Sequence, residues 1–171
     1  MKIKLLILLL FISTIGLSQK YSIYVDNRDS KTYQTILIDS LIWFVDNLNY
    51  EIETSYIPNV KKNKSKYGRL YTYRIAKYVC PQGWRLPTKS EWVNLNQKLT
   101  DKSEFTEKML GLRKPSGNYY FFDLNGYYWS STEENNGYHW YVTIMKNNNK
   151  FNYMYQSDEH AFAVRCVKNN K

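Results

Sequence analysis

The chain has 171 residues, of which 24 are Lys or Arg and 15 are Asp or Glu, so its formal net charge is +9. This length is enough for one domain with a hydrophobic core and too short for two domains of ordinary size. A basic protein favours anionic partners, but the predicted export of this chain argues against nucleic acid as a partner.

The start of the chain has the organisation of a secretory signal peptide. Two lysines precede an unbroken apolar run over residues 5–12, and residues 13–18 are smaller and more polar. A membrane-spanning helix needs about 20 apolar residues, so the run is typical of a removable leader rather than a retained anchor. We expect residues 1–18 to be removed and residues 19–171 to form a single domain without a transmembrane segment. The expected location is secreted, periplasmic or cell-surface, with no cysteine placed for lipid attachment.

The two cysteines are predicted to form a disulfide, because an exported chain with an even number of cysteines favours a bridge. Cys80 and Cys166 would close a long loop, and such a bridge contributes about 4–5 kcal/mol in the chain-entropy model. A metal pair is the weaker alternative, since only His139 and His160 accompany the cysteines and the spacing is not that of a zinc site. Nothing in the sequence marks either thiol as reactive.

The first half of the chain predicts three strands followed by two helices. The strands are expected over residues 21–25, 32–38 and 41–45, the last two as a hairpin. Residues 51–67 are polar and hold a lysine cluster, which favours a solvated loop over a binding patch. A short helix is expected over residues 69–78, where apolar residues recur near helical spacing.

The second predicted helix has the clearest local signal in the chain. Thr88 and Glu91 have the spacing of a capping box, in which each side chain bonds to the backbone amide of the other residue. Trp92, Leu95 and Leu99 then lie on one face, which we expect to pack inward. The helix is expected to end near residues 100–101.

The second half of the chain is predicted to be mainly β-structure. Residues 123–126 (DLNG) predict a turn, because they end in the dipeptide Asn125-Gly126. Trp140, Val142 and Ile144 alternate with residues 139, 141 and 143, as in a strand. Two helices confined to the first half, together with many strands, predict an α+β fold. The strands expected in this half cover residues 119–122, 127–130, 138–145, 151–155 and 161–167.

Aromatic residues make up 17% of the chain and cluster in its second half. Exposed Tyr and Trp side chains stack on sugar rings or anchor a protein partner, and Tyr127, Tyr138 and Tyr141 are the candidate ligand-contacting residues. The alternative is that these rings fill a β-rich core. Three tryptophans are assigned to the core from the outset: Trp84, Trp92 and Trp129.

Several longer phrases of the sequence resemble a known family. They are residues 80–88 (CPQGWRLPT), 126–133 (GYYWSSTE) and 164–168 (VRCVK). Together they resemble the Fibrobacter succinogenes major paralogous domain, over residues 24–168. That family consists of exported bacterial domains without an assigned activity.

A weaker resemblance lies within the same residues. Residues 85–92 (RLPTKSEW), followed by residues 163–167, are similar to the formylglycine-generating enzyme superfamily. That resemblance implies a C-type-lectin-like fold, with two short helices packed on a twisted antiparallel sheet, long loops, and terminal strands brought together. The active-site cysteine pair of those enzymes has no counterpart here, because Cys80 and Cys166 are expected to be bonded to each other.

The sequence therefore predicts no catalytic residue, no metal site and no cofactor. Calcium needs clustered oxygen ligands, whereas Glu133 and Glu134 are expected to be solvated, and His139 and His160 to be surface or packed residues. The function that we expect is a non-catalytic, secreted or cell-surface binding module for a glycan or a protein. A structural domain of the cell envelope is the main alternative, and a divergent enzyme of the formylglycine-generating fold is a distant one.

Overall fold

A computed structural model describes residues 21–58 and 66–170. The predicted signal peptide, residues 1–18, and the lysine-rich part of the predicted loop, residues 59–65, lie outside the described residues. No helix within the described ranges is both long and apolar enough to cross a membrane.

The described residues form twelve strands and three short helices, which confirms the α+β class. The first half of the chain holds β1 (Tyr21–Val25), β2 (Thr32–Ile38), β3 (Leu41–Phe44), β4 (Ser55–Tyr56), β5 (Leu70–Thr72), α1 (Tyr73–Val79) and α2 (Lys89–Lys98). The second half holds α3 (Ser103–Thr106), β6 (Leu112–Arg113), β7 (Tyr119–Tyr120), β8 (Asn125–Asn135), β9 (Tyr138–Met145), β10 (Lys150–Ser157), β11 (Ala161–Ala163) and β12 (Val167–Asn169).

The strands of the described part of the chain form two sheets, where the sequence led us to expect one. The small sheet has the order β1-β2-β3-β12 and is antiparallel throughout. It places the first and last strands in one sheet, since Val167 on β12 pairs with Trp43 on β3. The large sheet has the order β10-β9-β8-β11-β5-β4, with β6 and β7 attached beside β11. It contains one parallel pair, because Ala163 on β11 lies beside Tyr128 on β8.

Two clusters of buried residues form the core. In the first, α2 buries Trp92 against Trp43 of the small sheet, with ring centroids 5.1 Å apart. In the second, Trp129 packs on Phe162 of β11 at 4.3 Å. Each fully buried large apolar side chain contributes about 1.5–3 kcal/mol to folding, so these rings carry much of the stability. Burial of Trp84, Trp92 and Trp129 confirms their assignment to the core.

Helix α2 begins as the sequence predicts. The amide of Glu91 donates to the Thr88 hydroxyl at 3.2 Å, and the amide of Thr88 donates to the Glu91 carboxylate at 2.8 Å. Both halves of the capping box are therefore present, and two orphan amides of the first turn gain partners. The face made by Trp92, Leu95 and Leu99 is buried.

The disulfide between Cys80 and Cys166 is present, with the Cα atoms 5.9 Å apart. It joins the residue that ends α1 to the segment between β11 and β12. The sequence predicted one strand over residues 161–167, which was wrong. Residues 164–166 instead leave the large sheet and enter the small one, so the strand is split in two.

Arg165 lies in that crossing segment and is fully buried. Its guanidinium carbon is 4.6 Å from the ring centroids of both Phe105 and Tyr128. It donates to the Asn47 side-chain oxygen at 3.1 Å and to the Phe105 carbonyl at 3.0 Å. Burial lowers the pKa of Arg165, because desolvation disfavours the charged form.

Two further predictions of local structure were right in part, and tertiary contacts explain where each of them failed. The first helix begins at Tyr73 rather than residue 69, since Leu70 and Tyr71 are fully buried and pair with β11 instead. The turn predicted over residues 123–126 is confirmed only in its first half. The chain turns at residues 122–124, with a positive φ of 59° at both Phe121 and Asp123, and Asn125 and Gly126 already belong to β8.

Candidate functional site

The structure separates the three predicted ligand-contacting tyrosines. Tyr127 and Tyr141 are only 8% and 7% exposed, so the prediction that they lie on the surface was wrong. Both rings pack against Phe162, with centroids 5.7 and 4.7 Å away, in the second core cluster. The face of the large sheet that carries both tyrosines is covered by other residues. Alternation along a strand separates its two faces but does not show which of them is buried.

Tyr138 is 42% exposed and belongs to an aromatic surface made by Tyr138, Trp140 and Tyr155. Tyr155 packs edge-to-face with both other rings, at 6.3 and 5.6 Å. Lys89, the first residue of α2, places its ammonium 3.1 Å from the centroid of the Trp140 ring. The Trp140 ring nitrogen donates to Glu134 at 2.6 Å. The polar atom and one ring face of Trp140 are therefore already engaged within the protein.

The two histidines do not form an acid–base pair. His139 is buried and stacks on Tyr73, with centroids 3.3 Å apart, whereas His160 lies beside the Ser157 hydroxyl at 3.2 Å. Burial is the main cause that lowers the pKa of each imidazole. Across the described ranges, no group of three or more His, Cys, Asp or Glu side chains is arranged to hold a metal ion.

A groove crosses the outer face of the small sheet, and we call it the Trp84 groove. It consists of two cavities of about 330 and about 800 Å³. Five residues line both cavities, so the cavities form one elongated depression with a shared floor. The five residues are Tyr24, Ile42, Trp84, Lys168 and Asn170.

The floor of the groove is held rigidly. The Trp84 ring packs on Phe44 at 4.4 Å and on Tyr24 at 5.0 Å, which ties it to the second core cluster. The neighbouring Arg85 exchanges two backbone hydrogen bonds with Val167, at 2.9 and 2.8 Å. The disulfide holds the same segment at Cys80, so the floor is fixed from both sides.

Four residues with carboxamide side chains line the larger cavity, and all four are exposed. None of them hydrogen-bonds to another side chain or backbone group within residues 21–58 and 66–170, so both their donors and their acceptors are open. They come from three separate places in the chain: Asn27, Gln82, Asn169 and Asn170.

The charged residues that line the groove are Lys168 and Arg85, and no Asp or Glu lines either cavity. Arg85 forms a bidentate pair with Glu91, at 2.8 and 2.7 Å. Burial alone would raise the pKa of Glu91, but hydrogen bonds from Arg85 and from the Thr88 amide outweigh it and lower that pKa. Lys168 has no ion-pair partner among the described residues, and its ammonium lies 4.7 Å from the Trp84 ring centroid.

Most of the residues that line the groove lie in a segment that matches a known family model. Residues 26–107 match the Fibrobacter succinogenes major domain. This confirms the predicted resemblance over that segment, which is shorter than the predicted 24–168. No curated protein and no solved structure matches the chain.

Within this Fibrobacter succinogenes major domain segment lie Asn27, Ile42, Gln82 and Trp84, whereas Lys168 follows it. Sequence reasoning missed the groove, although it placed Trp84 in the core. The groove exists only because the Arg85–Val167 pairing and the disulfide bring the end of the chain to residues 82–85. No local pattern in the sequence announces such a contact.

Proposed function

We propose that this protein is an exported, non-catalytic saccharide-binding module and that the Trp84 groove is its binding site. The observation that carries the proposal is the set of four open carboxamides and one unpaired ammonium around an apolar floor. A sugar presents hydroxyls that both donate and accept hydrogen bonds, and a carboxamide supplies both functions as well. The apolar floor suits the C–H faces of a sugar ring.

The dimensions of the groove agree with this use. Pockets that hold small ligands have volumes of about 300–1,000 Å³, and each of the two cavities is in that range. Because the cavities share a floor, a ligand of more than one sugar unit would occupy both.

Export and a C-type-lectin-like fold are parts of the same proposal. The disulfide supports an oxidising compartment, in agreement with the predicted signal peptide over residues 1–18. Helices α1 and α2 and the pairing of β12 into the sheet that contains β1 support the lectin-like architecture. Both cysteines are bonded to each other, which favours a binding role over the thiol chemistry of formylglycine-generating enzymes.

One observation favours a structural role as the second candidate. Strand β10 is an edge of the large sheet, and residues 151–157 contain no charged residue. Met154 and Tyr155 on this strand are each about half exposed. Unprotected edges of this length pair with other chains, so stable self-association without a ligand would support the structural role.

The test is a glycan array, followed by titration calorimetry with the protein recovered from an exporting host. The double variant Gln82→Ala, Asn169→Ala removes two exposed side chains without a packing role. Each lost hydrogen bond costs about 0.5–1.5 kcal/mol, so we expect affinity to fall about tenfold or more. Tyr138→Ala is the matched control on the aromatic surface and should bind normally. Binding that Tyr138→Ala abolishes and the double variant keeps would contradict the proposal.

A further inference from the structure

We infer that the saccharide bound in the Trp84 groove carries a carboxylate, as uronic acid residues do. The inference rests on the proposed function and narrows it to one class of sugar. The charged residues that line the groove are all basic, and one of the two is already paired with a carboxylate of the protein.

The groove has a one-sided charge. Lys168 and Arg85 are basic, and the other residues that line the two cavities are uncharged. The whole chain is also basic, with a formal net charge of +9. A cleft lined by one sign of charge concentrates ligands of the opposite sign, so the groove favours an anion.

Arg85 is not the group that meets this anion. Glu91 accepts from both terminal nitrogens of its guanidinium, and such a fork-to-fork pair satisfies the planar donor set of an arginine. The capping box of α2 fixes Glu91 in place through the Thr88 amide. The cation left to meet a ligand is therefore Lys168.

Lys168 stands where a ligand spanning the groove would pass. It pairs with Ile42 across β3 and β12, and it lines both cavities. Its ammonium lies over the Trp84 ring, 4.7 Å from the ring centroid, at the floor that both cavities share. An ammonium has three donors and no acceptor, and a charge-assisted hydrogen bond to a carboxylate is about twice as strong as a neutral one.

The carboxamides favour the uncharged part of the ligand, as Lys168 favours its carboxylate. Asn27, Gln82, Asn169 and Asn170 carry no charge and line the cavity beside Lys168. They suit the hydroxyl groups of a sugar, while one carboxylate per binding site suits the one open cation.

The experiment compares an oligogalacturonate with the same oligomer after full methyl esterification, so that only the negative charge differs. The protein recovered from an exporting host is titrated with each probe by calorimetry at low and at high salt. We expect the free acid to bind about tenfold more tightly than the ester, a difference typical of one charge-assisted hydrogen bond. The preference should shrink at high salt, because salt screens exposed charges.

Two variants locate the effect. Lys168→Gln should abolish the preference for the acid, while binding of the ester persists. Lys150→Gln is the matched control, since it removes the same charge from an exposed lysine on β10, and its preference should equal that of the unmodified protein.

The possible failures are distinguishable. Equal affinity for acid and ester, or a preference that survives Lys168→Gln, overturns the inference and leaves the saccharide-binding proposal standing. If a neutral glycan binds tightly while neither the oligogalacturonate nor its methyl ester binds, the inference is likewise overturned and the saccharide-binding proposal stands. If no saccharide binds, the proposed function itself fails. Binding of polyglutamate that depends on Lys168, without binding of the oligogalacturonate, overturns the inference in favour of an acidic peptide.

Discussion

The aromatic surface is made by one hairpin, β9 and β10, whereas the Trp84 groove is made by stretches of chain far apart in sequence. Trp140 in the aromatic surface has its ring nitrogen bonded to Glu134 and one face covered by Lys89. In the groove, Lys168 likewise lies over the Trp84 ring, but at 4.7 Å and without an ion-pair partner among the described residues, and the four carboxamides are not hydrogen-bonded within the described ranges. The difference shows that exposed rings alone do not make a binding site, because the polar groups beside them must also be free.

The two regions also differ in how they are anchored. The disulfide and the Arg85–Val167 pairing fix the groove to the crossing between the sheets. The aromatic surface lies at an edge of the large sheet, where β10 has one neighbouring strand among the described residues. Changes at the anchors should therefore affect the groove first.

The largest effect is expected from the double variant Cys80→Ala, Cys166→Ala. Loss of a bridge that closes a long loop should lower the free energy of unfolding by about 4 kcal/mol, measured by urea denaturation. Saccharide binding should weaken together with stability, since the groove floor adjoins Cys80. Unchanged stability would show that the bridge does not restrain the crossing segment.

Arg165→Leu is expected to cost about 3 kcal/mol of folding free energy. The substitution leaves the Asn47 oxygen and the Phe105 carbonyl without their donor, and each unsatisfied buried acceptor costs about 1–3 kcal/mol. Chemical denaturation gives the measurement. A gain in stability would mean that desolvation of the guanidinium outweighs its hydrogen bonds and ring contacts.

Glu91→Gln separates charge from structure within the groove. A glutamine oxygen still accepts from the Thr88 amide, so the capping box survives and the stability loss should be about 1 kcal/mol or less. Arg85 is then no longer neutralised, and the affinity for an oligogalacturonate should rise by up to about tenfold. Calorimetry tests this, and an unchanged affinity would show that Arg85 does not face the ligand.

Tyr155→Ala tests the aromatic surface, where, unlike in the groove, a substitution should leave saccharide affinity unchanged. The ring is half exposed and makes two edge-to-face contacts, so its loss should cost about 1 kcal/mol of stability. Saccharide affinity should not change. If affinity fell while the groove variants bound normally, the two regions would have been assigned the wrong roles.

The smallest expected effect is a pH dependence. Burial lowers the pKa of His139 and of His160 in the folded chain, so the unfolded chain binds protons that the folded chain does not. Stability should be fully present above about pH 6.5 and should decline as the pH falls below it. In the variant His139→Gln, the unfolding temperature should fall less steeply as the pH is lowered. If it falls as steeply as in the unmodified protein, the pH dependence comes from other groups.

Local signals in the sequence were sufficient where neighbours along the chain decide the structure. The capping box of Thr88 and Glu91 and the two strands that form the hairpin of β9 and β10 were predicted, because the contacts that stabilise them are close in sequence. The turn predicted over residues 123–126 was displaced, because Asn125 and Gly126 pair with β9. Gly126 is needed for a different reason, since a Cβ atom at that position would overlap the Tyr128 ring.

The candidate site was not predictable in the same way. Burial of Tyr127 and Tyr141 depends on Phe162, which belongs to a strand that no periodic pattern links to them. The Trp84 groove forms only because β12 pairs with β3 on one side and, through Val167, with Arg85 on the other. The cysteine pair was the one signal that connects these distant segments.

The most direct measurement is a backbone amide chemical-shift titration with an oligogalacturonate. Binding in the Trp84 groove predicts shifts at residues 24–27, 82–85 and 167–170, with little change at residues 138–140 and 153–155. Shifts confined to the second set would contradict the assignment of the groove and would place the ligand on the aromatic surface.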